Sequence, residues 1–411
     1  MQTELADFIR DTPAGHEAEA ILRRCVHCGF CLATCPTYQL LGDERDSPRG
    51  RIYLIKQMLE GQPVTATTRT HLDRCLTCRA CETACPSGVE YGHLVDIGRA
   101  VLAERGPERP AQERAARWAL RAGLPNKGLF GSAMALGKLA RPVLPRPLAA
   151  KVPAHSAHSA MVAPRHARRV LALAGCVQPS MAPSINTAAS RVLDALGISL
   201  VEVPGAGCCG AMRFHLDDQH GGLDDARRLI DRWIGPIERG EAEGIAMTAS
   251  GCGAFVRDYA HLFENDPDYA SRAATVTLKT RDLAEIVAAE LDRAPQIWRA
   301  EPAGTLAFHS PCTLQHGQKV VGTVERILAA AGYALTTVAD AHLCCGSAGA
   351  YSILQPAIAT KLRDAKLLEL QRHGAAGIAS ANIGCISHLA GNANVPVRHW
   401  VEWVADRLRP A

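Results

Sequence analysis

Residues 25–36 read CVHCGFCLATCP and residues 75–86 read CLTCRACETACP, two runs of the form C-x2-C-x2-C-x3-C-P. Three thiolates on so short a loop can hold three irons of a cubane, but the loop cannot bring a fourth round to the remaining iron. In paired runs of this spacing the last cysteine of each run ligates the other cluster. The expectation is one [4Fe-4S] cluster on Cys25, Cys28, Cys31 and Cys85, and a second on Cys75, Cys78, Cys81 and Cys35. The two runs then close into one domain. Zinc is the competing reading, since C-x2-C is also a zinc spacing; the third cysteine, the fourth and the proline in each run favour two cubanes.

Composition narrows the class. The 411 residues are 47% hydrophobic and 21% charged with net charge +4, which suits several globular domains rather than disorder. Aromatic content of 5% offers no stacking face for nucleic acid. No apolar run reaches the ~18 residues of a membrane span, so any membrane contact is expected to be peripheral. The opening MQTELADFIRDTPAGHEAEAILRR lacks the apolar core of a secretory signal. A reducing cytoplasmic setting follows, and with it thiols kept for metals or redox chemistry rather than disulfides. Sixteen cysteines are present, so eight remain once the two clusters are filled.

Residues 1–106 read as the two-cluster domain. A helical lead-in carries Leu5, Phe8, Ile9, Ile21 and Leu22. A helix after Ser47-Pro48-Arg49-Gly50-Arg51 carries Ile52, Ile55, Met58 and Leu59, and another carries Leu94, Ile97, Val101 and Leu102. Arg49 and Arg51 are candidates for hydrogen bonds near a cluster, or else a solvated helix start. Residues 107–169 hold twelve Lys or Arg against Glu108 and Glu113, helical at first and Pro/Ala-rich from Arg141. Such a segment suits an acidic partner, an anionic membrane surface or a solvated linker.

The remaining half repeats. Cys176, Cys208, Cys209 and Cys252 in residues 170–300 are matched by Cys312, Cys344, Cys345 and Cys385 in residues 301–411, and both adjacent pairs read Cys-Cys-Gly. Strand-like segments at Val170–Ala174, Gly244–Ala249, Leu306–His309 and Gly377–Ala381 alternate with helical stretches. LKTRDLAEIV from Leu278 echoes VPVRHWVEWV from Val395. The fold class is therefore α+β and multidomain: a helical two-cluster ferredoxin-like domain, then two duplicated α/β cysteine-rich modules with parallel sheets. Each module is a candidate second metal or redox site, with a further iron-sulfur centre, zinc and reactive thiols all open. His215, His309, His316, His342 and His388 are candidate nitrogen ligands. Gly205, Gly207 and Gly210 spell G-x-G-x-x-G, but the second module does not repeat the string, which argues against a nucleotide site.

Tandem ferredoxin runs followed by two Cys-Cys-Gly modules resemble the glycolate oxidase (glycolate dehydrogenase) iron-sulfur subunit family over nearly the whole chain. CVHCGFCLATCP, DSPRGRIYLIKQMLEG, CLTCRACETACP, GAGCCGA, ASGCGAF and HLCCGSAGAYS carry the resemblance. Related architectures occur in anaerobic glycerol-3-phosphate dehydrogenase, lactate-utilisation proteins and heterodisulfide reductase subunits. The resemblance implies an oxidoreductase complex in which FAD-bearing flavoprotein partner subunits oxidise glycolate to glyoxylate, with D-lactate as a second substrate. This chain would pass the electrons towards a quinone or other acceptor, in the cytoplasm or peripherally on the inner face of the cell membrane. The alternatives are a heterodisulfide-reductase-like catalytic subunit, or the iron-sulfur subunit of a lactate or glycerol-3-phosphate dehydrogenase. The full Cys-Cys-Gly pattern ends in C-x2-C, whereas Phe255 follows Cys252 and His388 follows Cys385 at that spacing. That departure counts against a five-thiolate cluster and disulfide chemistry.

Overall fold

The computed structural model describes residues 1–143, 152 and 160–409. Most of the Pro/Ala-rich stretch from Arg141 onward therefore lies outside the described residues. The chain forms two compact bodies, one of Met1–Arg117 with His342–Lys366, the other of Trp118–Ala341 with Leu367–Ala411.

The first body is helical. Helix α1 (Pro13–Arg24) starts on Thr12, whose side chain accepts from the Gly15 N–H, and α2 (Pro48–Leu59) starts on Ser47, which accepts from Gly50. Both have proline in the first turn, where no amide partner is lost. Helices α3 (Ala66–Asp73) and α4 (Tyr91–Arg105) complete the frame. Ile21, Leu22, Ile55, Leu59, Leu72, Leu94 and Leu102 are fully buried in one core that also holds Cys25, Cys75 and Cys81. Truncating any of these leucines to alanine costs about 2–5 kcal/mol, so the cysteine loops rest on a stiff base. Part of the basic segment is neutralised here, because Arg109 and Arg117 both pair with Asp73 and Glu113.

The second body contains two four-stranded parallel sheets of identical order. Strands β1 (Arg168–Ala172), β2 (Ile198–Glu202), β3 (Gly244–Met247) and β4 (Thr280–Asp282) lie in the order 2-1-3-4. Strands β5 (Gly304–His309), β6 (Tyr333–Thr336), β7 (Gly377–Ser380) and β8 (Val397–His399) lie in the order 6-5-7-8. Strand alternation divides the first sheet between two cores. Val170 and Ala172 face a core shared with Leu306 and Phe308 of β5, while Leu171 and Leu173 face a separate core around Trp233, Tyr259 and Phe263. β2 and β6 escape a reading of the sequence because each follows a helix across only two residues, Leu196-Gly197 or Ala331-Gly332, and is too short for alternation to show. β4 and β8 are three-residue edges lying inside the two segments that echo each other.

Those edges lead into α-helices Leu283–Glu290 and Trp400–Ala405, each opened by a capping box, Asp282 with Glu285 and His399 with Glu402. Both caps are completely buried. Burial pushes the Asp282 carboxyl up to about 7 and the His399 imidazole down to about 3. A carboxyl whose folded pKa is raised binds more protons folded than unfolded, so stability falls as pH rises from about 4 to about 7 and is flat above. Asp282→Asn keeps the cap acceptor without the charge. Between pH 5 and pH 8 the native protein should lose roughly 2–3 kcal/mol relative to this variant, measured by paired urea denaturation.

Candidate metal centres

The two cysteine runs fold alike. His27 and Gly29 in the first, and Thr77 and Arg79 at the matching positions of the second, all have positive φ, between 52° and 89°. Three of the four are not glycine, so both loops hold a conformation that L side chains rarely adopt, a strain retained where function fixes the backbone. The turns direct sulfurs inward. One cavity is lined by Cys25, Cys28, Cys31, Cys81 and Cys85, and a neighbouring one by Cys35, Cys75, Cys78 and Cys81. Each cavity thus receives three thiols of one run and the last thiol of the other, with Cys81 bordering both.

These thiols sit where ionisation needs a counter-charge. Burial pushes Cys31 up to about 11 and raises Cys25 and Cys81 as well. A bound metal reverses that preference, because the thiolate is the ligand. Amides and hydroxyls already point at the sulfurs: Thr77 N–H and Tyr91 O–H donate to Cys75 Sγ at 3.4 and 3.5 Å, and Val89 N–H donates to Cys85 Sγ at 3.5 Å. An all-thiol donor set with N–H···S and O–H···S bonds suits iron-sulfur clusters.

Beneath Cys35 lies a buried ionic cluster. Asp46 is wholly buried; it accepts from Arg51 Nη2 at 3.2 Å and Arg74 Nη1 at 2.9 Å, and lies 3.0 Å from His71 Nδ1. Arg51 also donates to the His71 carbonyl at 2.7 Å, to Thr37 Oγ1 at 3.1 Å and, through Nη1, to Cys35 Sγ at 3.9 Å. Burial acts against the Arg51 charge, but Cys75, Tyr91, Cys35 and Asp46 outweigh it and hold its pKa above the ordinary value. Arg49, two residues away, pairs with Glu44 and donates to the His27 carbonyl at 3.4 Å on the first loop. Asp46, His71, Thr37 and Tyr91 were not legible as site residues, since each is a lone polar residue in a helical context.

The His342–Lys366 stretch brings Cys344 and Cys345 into this same body. Tyr351 within it donates to the Arg74 carbonyl at 3.0 Å.

In the second body Cys176 follows β1, Cys208 and Cys209 follow β2, and Cys252 opens the helix after β3, all beyond the carboxyl ends of parallel strands. Hydrogen bonds link the four thiols as a chain, Cys176 to Cys208, Cys208 to Cys209 and Cys209 to Cys252. Cys208 accepts from both of its neighbours in that chain. Donation from Cys176 and Cys209, and then from the Gly210 N–H at 3.4 Å, holds it well below the usual thiol range, while Cys176 and Cys209 are raised. Gly210 has φ +94°, and a Cβ there would lie 2.2 Å from the Gly222 carbonyl oxygen, so only glycine turns this corner. The second Cys-Cys-Gly turn is the same: the Gly346 N–H donates to Cys344 Sγ at 3.4 Å, with φ +87°.

Phe255 fills the space where a fifth thiolate would follow Cys252, packing edge-on against Phe214, His215 and Tyr259. The Tyr259 hydroxyl donates to the Cys209 carbonyl at 2.6 Å. The cysteines of the second module remaining in this body are Cys312, after β5, and Cys385, whose Sγ accepts from Asn382 Nδ2 at 3.5 Å. Of the five candidate histidines, His309 ends β5 fully buried, bonded to Ser380 Oγ at 2.9 Å, with a ring nitrogen within 4.8 Å of Cys385 Sγ. His215 stacks with aromatic rings, His316 is buried, His388 is half-buried, and His342 lies in the first body. No disulfide joins the cysteines among the described residues.

This fold and these thiol pockets define an iron-sulfur protein of the electron-transfer class. Residues 21–89 match the 4Fe-4S dicluster domain, and residues 170–257 and 306–390 match the cysteine-rich domain. The chain is 51% identical over 409 residues to the glycolate oxidase iron-sulfur subunit of Escherichia coli, covering 99% of both chains. It is 29% identical over 397 residues to the probable glycolate oxidase iron-sulfur subunit of Bacillus subtilis, covering 90% of this chain and 88% of that one. A lactate utilization protein A of Bacillus velezensis is 26% identical over 244 residues, 56% of this chain and 97% of that one. The chain belongs to the glycolate oxidase iron-sulfur subunit family.

The Asp46 network makes a structural prediction. Asp46→Ala strands two guanidinium groups around a buried void and should cost about 3–5 kcal/mol. Thermal or urea denaturation checks it, and Asp46→Asn, which retains hydrogen bonds, should cost less.

Proposed function

We propose that this chain is the electron-carrying subunit of a flavin-dependent glycolate dehydrogenase complex, with D-lactate as a further substrate of the complex. In this reading FAD sits on partner flavoprotein subunits, which oxidise glycolate to glyoxylate. The single observation that carries the reading is the exchange of the last cysteine between two thiol-lined cavities. Cys25, Cys28, Cys31 and Cys85 would hold one [4Fe-4S] cluster, and Cys75, Cys78, Cys81 and Cys35 the other. Cubanes bound by four thiolates each supply one-electron transfer and have no open position for an organic substrate. Catalytic residues for substrate oxidation are accordingly assigned to the partners.

The chain's own residues shape that transfer. Cys25, Cys35, Cys75 and Cys81 are buried away from water, and Arg51 sets a fixed positive charge against Cys35 that favours the more negative, reduced state. Residues 1–106 serve as the cluster domain, 107–169 as the basic connection, and 170–300 and 301–411 as the duplicated halves. Four linked thiols in the first module suit a further iron-sulfur centre, and the His309–Cys385 pair in the second suits zinc as well. Among the described residues no helix is long and apolar enough to cross a membrane. A quinone acceptor would therefore be met from a peripheral position at the inner face of the cytoplasmic membrane.

Anaerobically purified protein should contain about eight irons and eight sulfides from the cubanes alone. Cys85→Ser and Cys35→Ser should each remove or convert one cluster and leave the other. Glycolate oxidation should appear only when the flavoprotein subunits are added; turnover by this chain alone, or disulfide reduction at Cys208 or Cys344, contradicts the reading. Arg51→Met should lower the potential of one cluster by roughly tens of millivolts in a spectroscopic redox titration and leave the other unmoved.

A further inference from the structure

The two cysteine loops share a backbone shape but not their surroundings. Val26 and Phe30 in the first loop stand at the positions of Leu76 and Ala80 in the second. Leu76 is 6% exposed and Ala80 1%, whereas Val26 is 68% exposed and Phe30 63%. The thiols between them follow the same contrast: Cys28 is exposed, Cys78 is half-buried, and every other cysteine is buried or half-buried too. Protein lies against the second loop, where Tyr351 of the His342–Lys366 stretch donates to the carbonyl of Arg74, the residue before Cys75. Apolar residues at matched positions of one backbone shape are thus covered in one copy and bare in the other. A bare phenylalanine and valine on either side of a cluster thiol are the side chains an interface core would bury.

The chemistry of the loop selects the occupant. Electron transfer weakens steeply with distance, so a redox partner must approach a cluster where it comes nearest the surface, and Cys28 offers the exposed sulfur. Charges beside it are already paired within the chain: Arg24, next to Cys25, with Glu90, and Arg49, which lines the first cavity, with Glu44. Paired charges steer a diffusing carrier weakly. An apolar face bordered by them suits a lasting contact between subunits. In the complex described above the protein partners are the flavoprotein subunits, whereas a quinone is a small molecule.

We propose that the face of Val26, Cys28 and Phe30 is the docking site of the electron-donating flavoprotein subunit, with Phe30 as its anchor. The proposal rests on the electron-carrying role given above and names the surface where electrons enter. Each glycolate oxidised to glyoxylate yields two electrons and two protons; the electrons cross this face one at a time, and the protons pass to solvent.

The test is direct binding of the full-length chain to the purified flavoprotein subunits, measured by sedimentation velocity. Val26→Glu combined with Phe30→Glu should weaken binding at least about tenfold. Leu278→Glu, which alters an exposed leucine of the second body, should bind as the native chain does. Iron content and reduction by dithionite should be the same in all three. Should the double variant lose iron, a second measurement decides: p-benzoylphenylalanine in place of Phe30 should photo-cross-link to the flavoprotein, and in place of Leu278 it should not. The proposal is overturned if the flavoprotein binds the double variant as tightly as the native chain, if it does not bind the native chain, or if the probe at Phe30 captures only a second copy of this chain or nothing. A complex that assembles through this face yet does not oxidise glycolate contradicts the functional reading and leaves the docking site standing.

Discussion

A short cysteine loop cannot surround a cubane. The first three cysteines of each run span too little chain to reach a fourth iron, so either run alone leaves a site incomplete. Pairing the runs resolves this, and most of the first body follows from it. Four helices hold the loops at a fixed separation, and the left-handed residues His27, Gly29, Thr77 and Arg79 wind both loops the same way. The last cysteine of each run is delivered to the opposite cavity by the helical turn that contains the third. Strain in these loops is affordable only on a core such as that of Leu22, Ile55, Leu59 and Leu94.

The second body solves a related problem by another route. Its first module draws four thiols from three different loops, and a parallel sheet places the ends of adjacent strands on one edge. Gly210 lets the chain turn sharply after the paired cysteines, and its N–H bonds back to Cys208. Duplication preserves that turn at Gly346, the sheet order and even the buried helix caps, though Asp282 in one half is His399 in the other. A buried carboxyl and a buried imidazole are not interchangeable in charge, yet burial disfavours the charged form of both and each accepts from the amide two residues on. What the repeat conserves is the acceptor.

The cluster runs, the duplication and the central strands were legible because each leaves a local signature: fixed cysteine spacing, matched offsets, or a β-rich run beside glycine. The order of the strands and the edge strands were not, since three residues of Thr280–Asp282 or Val397–His399 carry no period and pair only with residues far away in sequence. Arg51 was legible as a basic residue near a cluster; its role was not, because Asp46, Thr37, His71 and Arg74 meet it only after α2 and α3 pack. His309 among five histidines is the same case. The departures at Phe255 and His388 could be read directly, but that Phe255 fills the vacant place with an aromatic cluster is a matter of packing.

Interlocking of the two clusters is the central claim, and electron paramagnetic resonance of the fully reduced protein addresses it most directly. Two four-iron clusters sharing loops across a single small core should lie close enough for their spins to interact, giving paired signals broadened or split by mutual coupling. A spectrum without iron-sulfur signals in protein that binds zinc at those cysteines, or one of two fully isolated clusters, would contradict the account.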